Sequence, residues 1–115
     1  MENWKKFVNE QERFRGSTTM EAVGLKGEVI KLTILDPDPE AEFPGREVIL
    51  KSELGSNDLG MGAGPGTPMV DKIKMAMESY VEDVYGGKNS EQNLQAMIKK
   101  NAQLLSHISN STVYR

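Results

Sequence analysis

With 115 residues, 37% of them apolar and 27% charged, the chain has the length of one domain and a lean complement for its core. Its net charge of -3, with lysines no more clustered than the pairs Lys5-Lys6 and Lys99-Lys100, excludes a general nucleic-acid binder, whose affinity comes from massed cations on phosphates. The absence of cysteine excludes disulfides, thiolate nucleophiles and zinc–thiolate sites, and the single histidine, His107, excludes a multi-histidine metal centre within one chain.

In chain order, Trp4, Phe7 and Val8 fall at i, i+3, i+4 among polar residues, the spacing of a short amphipathic helix over residues 1–15. Residues 19–25 and 28–35 are rich in β-formers. Ile30, Leu32 and Ile34 alternate with Lys31 and Thr33, so one face of the second strand is apolar, and Lys26-Gly27 is the hairpin turn before it. Prolines 37, 39 and 44 make residues 36–45 a surface loop, because they remove backbone donors and bias their predecessors away from helix. Arg46 to Ser52, with Val48-Ile49-Leu50 at its centre, completes an antiparallel meander of about three strands over residues 18–52.

A glycine-rich loop follows at 53–67, and then the strongest helical pattern in the chain. Thr67 is the expected N-cap and Pro68 the first helical residue, where a missing N–H costs nothing. Val70, Ile73, Met77, Val81 and Val84 form the apolar stripe, and Gly86-Gly87 ends it. Asn89 or Ser90, with Gln92 in capping-box position, opens a second helix carrying Leu94, Met97, Ile98, Leu105 and Ile108. The two make an antiparallel helix hairpin over 68–109, and the polar tail 110–115 is expected to fray. Segregated strands and helices give a single α+β domain. No apolar run approaches the roughly 18 residues that span a bilayer, and the opening residues are no signal peptide, so no membrane association and a cytoplasmic location are expected.

The junction of loop and helix is the most informative local feature. Glycines at 60, 62, 64 and 66 run straight into a helix N-terminus, where free backbone amides and the helix dipole favour an anion. It is no Walker A loop, since Gly66 is followed by Thr67-Pro68 instead of a lysine and a hydroxyl residue. It is no dinucleotide fingerprint either, since its glycines are spaced by two. What remains is a modest anion site formed by Gly62, Gly64, Gly66 and Thr67, with charge from Lys72 and Arg46, set against a flexible connector that orders on a partner. Tyr80, Tyr85, Tyr114 and Arg115 are the further stacking and cationic groups whose convergence on this site decides the matter.

Other motifs lead to little chemistry. Asp36, Asp38, Glu40 and Glu42 lack EF-hand spacing and read as a solvated acidic loop. His107 and Ser106 are helical neighbours and point apart, so they make no nucleophile–base pair. No catalytic residues, metal or cofactor are therefore assigned. The helix at 68–85 carries apolar groups on more than one face, with Met69, Met75, Tyr80 and Tyr85 beside its stripe, and Met61 projects from the loop. The expected function is a non-enzymatic interaction module, a homo-oligomer through its helices that engages a protein partner through its loops. The alternative is an oligomeric binder of a phosphate-bearing or nucleotide ligand at the loop–helix junction.

Overall fold

The computed structural model describes residues 16–40, 45–57 and 66–114. The helix expected at 1–15 and the glycines at 60, 62 and 64 lie outside the described residues. Four strands, β1 (Ser17–Val23), β2 (Val29–Leu35), β3 (Glu47–Ser52) and β4 (Gly55–Asn57), pair antiparallel in sequential order. Three helices follow: α1 (Met69–Tyr80), which runs on into a π-helical turn (Val81–Tyr85), then α2 (Ser90–Lys100) and α3 (Ala102–Asn110). The fold is α+β with C-terminal helices.

Alternation decides which face of the sheet is buried. Ala22, Ile30, Leu32, Ile34, Val48 and Leu50 are all on one side and almost wholly enclosed. They meet Ile73, Ala76 and Met77 of α1 and Met97, Leu105 and Ile108 of α2 and α3. Each large side chain so enclosed contributes about 1.5–3 kcal/mol, and the helices supply a cover that a sheet this small needs. The other face presents Glu21, Lys31 and Lys51 in register across three strands, with the neighbouring pair Val23 and Val29 also exposed.

The structure corrects three sequence expectations. The meander has four strands, not about three. Ser52 Oγ accepts the Leu54 N–H at 3.1 Å and meets the Gly55 carbonyl at 3.4 Å, a turn that folds the chain straight back along β3. The first residues of the expected loop thus become β4. Gly55 belongs there because a Cβ at that position would sit 2.9 Å from Val84 Cγ2 in the π-helical turn.

The second helix of the hairpin is broken in two. Asn101, at φ -109° and ψ 25°, separates α2 from α3. Its side chain turns to the open edge of β1, where Oδ1 accepts the Val23 N–H at 2.9 Å and Nδ2 donates to the Val23 carbonyl at 3.0 Å. Nδ2 also donates to the Met97 carbonyl at 2.8 Å. One amide side chain thereby stands in for a residue of a fifth strand.

The helix caps also differ. Pro68, extended at ψ 147°, is the cap residue of α1, and its carbonyl accepts the amides of Asp71 and Lys72 at 3.0 and 3.1 Å. Thr67 therefore stands one residue too early to be the cap, and no side chain caps the helix. Asn89 does precede α2, but in the left-handed conformation (φ 60°), not the extended one that a capping side chain uses, and it makes no capping bond.

Candidate functional site

At the start of α1 lies a half-open pocket of about 460 Å³. Three stretches far apart in sequence form its wall: Gly45-Arg46 at the entry to β3, Gly66 through Val70 with Lys72, and the end of α3 with Ser111 and Tyr114. Met69, Val70 and Lys72 lie in α1 and Ile108 and Ser109 in α3, and the other positions adjoin the ends of these helices or the entry to β3, which meet because β3 and α3 pack against the same helix.

Lys72 is the unusual member. Only 6% of it is exposed, and Nζ donates to the Arg46 carbonyl at 3.0 Å. Among the described residues no carboxylate lies within ion-pairing distance of it. Burial, and then the charge of Arg46, depress its pKa below the ordinary lysine value, with Glu47 acting the other way.

Arg46 is held in three ways. Its guanidinium pairs with Asp36 at 3.2 Å and donates to the Val113 carbonyl at 3.2 Å. It also lies over the Tyr114 ring, 5.5 Å from the centroid. The tail expected to fray is thus docked through residues 113 and 114. Pro68 has no N–H and α1 has no side-chain cap, so the first helical amides, those of Met69 and Val70, are directed out of the helix end. Two cations, open amides and the hydroxyls of Thr67, Ser109 and Ser111 sit beside apolar Met69 and Ile108. This arrangement suits an anionic group joined to a small apolar or planar body.

Of the residues singled out from the sequence, Gly66, Thr67, Lys72 and Arg46 line this one pocket, and Tyr114 joins them. Gly62, Gly64, Met61 and Arg115 lie outside the described residues. Met69 and Tyr80 are within this chain's own core, while Met75 is 38% exposed. Ile108, Ser109 and Ser111 were not singled out, and only their position at the end of a helix docked beside α1 brings them in.

Tyr80 and Tyr85 belong to a second polar cluster, at the other end of β2. Glu28, buried in the turn between β1 and β2, accepts from Tyr80 OH at 2.8 Å and from Tyr85 OH on one carboxylate oxygen, and from the Lys26 amide at 3.0 Å on the other. Tyr80 OH also meets Ser52 Oγ at 2.5 Å, and Tyr85 OH accepts the Leu25 N–H at 2.8 Å. In an α-helix residues five apart point roughly 140° away from each other. The π-helical turn winds more loosely and brings Tyr85 round to the side of Tyr80, with the rings edge to face at 5.7 Å.

Glu28 leaves no room for a neighbour. A Cβ on Gly24 would overlap its carboxylate, so a side chain there would push Glu28 out of its hydrogen bonds. The cluster encloses its charged group in donors and has the character of a structural tie, in contrast to the pocket.

Among the described residues no three potential metal ligands converge, and no helix is long and apolar enough to cross a membrane. Compared with known proteins, the chain matches no family model, no curated protein and no solved structure.

Proposed function

We propose that the protein is a non-catalytic binder of a small anionic ligand, one bearing a phosphate or carboxylate, in the pocket at the start of α1. The observation that carries this reading is Lys72, a buried cation in the pocket wall with no carboxylate paired to it among the described residues. Burying a charge is costly unless a counter-charge compensates it, and a bound anion supplies one. The pocket volume of about 460 Å³ lies in the range of small-molecule sites and is ample for a mononucleotide-sized ligand.

The interaction-module reading has less to rest on. Of its contact residues Met61 lies outside the described ones, and of the rest Met69 and Tyr80 are enclosed within one chain, Tyr85 is tied to Glu28 and Met75 is exposed.

Thermal shift and calorimetry against inorganic phosphate, adenosine monophosphate and citrate test the proposal. At a hundredfold excess over Kd, binding is expected to stabilise the native state by about 2.7 kcal/mol. Lys72→Met is expected to weaken binding at least tenfold, while the unliganded protein keeps or gains stability, because a buried unpaired charge is replaced by an apolar group of similar length. A variant that kept full affinity for a ligand bound by the wild type would remove Lys72 from the site.

A further inference from the structure

The same lysine has the surroundings of a reactive amine. We propose that Lys72 forms a reversible imine with an aldehyde or ketone that carries a phosphate or carboxylate, so that the pocket holds its ligand covalently. This rests on the anion-site reading for where the ligand lies, and adds what the amine does there.

Three observations support it. Lys72 lines a half-open pocket and only 6% of the residue is exposed, so its amine is not on the open surface. It uses one N–H on the Arg46 carbonyl, a bond that the neutral amine retains while its lone pair stays available. The N–H groups of Arg46 not used on Asp36 and Val113, together with the helix amides, would hold the anionic end of the ligand, which places its carbonyl near Nζ and makes the attack effectively intramolecular. The depressed pKa acts in the same direction, since a lysine desolvated beside another cation exposes more free amine near neutrality.

The step balances without an oxidant or reductant. The Nζ lone pair adds to the carbonyl carbon, and the carbonyl oxygen takes up a proton to give a carbinolamine. Loss of one water then leaves the C=N bond. Hydrolysis reverses each step and returns the amine.

Pyridoxal phosphate, an aldehyde with a phosphate, serves as the reagent, with borohydride to reduce the imine to a stable secondary amine before peptide mapping. In the wild-type protein Lys72 is expected to label at least tenfold faster than exposed Lys99, and saturating inorganic phosphate is expected to slow Lys72 alone. Arg46→Ala is expected to lower the Lys72 rate severalfold without changing that of Lys99. Labelling of Lys72 no faster than Lys99 overturns the inference, and if phosphate still raises the melting temperature, the anion reading survives. Selective labelling of Lys72 that phosphate does not slow upholds the amine and removes the anion reading. Because the decisive rates come from the wild-type chain, a poorly folded variant does not blur the outcome.

Discussion

Glu28→Ala is expected to lower the free energy of unfolding by about 3–4 kcal/mol, measured as a drop in the urea midpoint at pH 7. The alanine strands two phenols and the Lys26 amide, which now all donate to one buried carboxylate. Each buried donor left unsatisfied costs about 1–3 kcal/mol, and water entering the vacated space relieves part of the sum. Against a typical total of about 5–15 kcal/mol the loss is large. A cost below about 1 kcal/mol would show that both tyrosines find other acceptors.

The same cluster sets how stability depends on pH. Burial pushes the Glu28 pKa up, but the hydrogen bonds from Tyr85 and Tyr80, and then those of the backbone, more than offset it, so the pKa stands below its ordinary value of 4.5. A carboxylate with a lowered folded pKa contributes stability that is fully present above the unfolded value and is lost as pH falls through the folded one. The wild-type protein should therefore lose stability below about pH 4.5, and Glu28→Gln should lack that part of the acid limb. On the alkaline side Tyr80 is pushed up to about 12, first by burial and then by the carboxylate. Its contribution is complete below the unfolded value near 10 and fades as pH rises towards 12.

Asn101→Leu is expected to cost about 3 kcal/mol, although leucine has the same branched shape and greater apolarity. It leaves both the N–H and the carbonyl of Val23 without partners beneath the break between α2 and α3. Asn101→Asp is expected to be worse at neutral pH, because it keeps the acceptor for the Val23 N–H but sets a buried negative charge against the Val23 and Met97 carbonyls. Burial disfavours the charged carboxylate, so this variant alone should regain stability on acidification, as the protonated acid recovers a donor. Denaturant melts of both variants at pH 7 and pH 4 check the contrast. Leucine tolerated at a cost under about 1 kcal/mol would mean that the β1 edge is satisfied by solvent.

Periodicity made most of the framework legible. Ile30, Leu32 and Ile34 alternate as buried strand positions, and Ile73, Met77 and Val81 follow the helical stripe into the core. Residues 55–57 were not legible as a strand because Gly-Ser-Asn has little intrinsic β preference. They become β4 only because the Ser52 turn lays them along β3. The break at Asn101 leaves a trace in the sequence. Position 101 continues the apolar stripe from Met97, and a polar residue there requires a buried partner, but nothing local identifies Val23 as that partner.

For the site, charge beside a glycine-rich junction was enough to select Arg46, Thr67, Lys72 and Gly66. Their convergence with Tyr114 depends on β3, α1 and the tail packing together, which spacing along the chain does not encode. Tyr80 lies within α1, three and seven residues on from Met77 and Ile73 on the buried stripe, whereas Tyr85 lies in the π-helical turn, where an α-helical wheel no longer gives its direction.

The sequential order of the sheet has a kinetic consequence. Every strand pairs with its neighbour in the chain, so the meander closes short loops and assembles early, as proteins rich in local contacts do. The bonds between Val23 and Asn101 bridge 78 positions and form only once the helices dock. Substitutions at Asn101 should therefore leave the refolding rate nearly unchanged and accelerate unfolding. The amide that closes the sheet edge would then govern how long the folded chain persists more than how fast it forms.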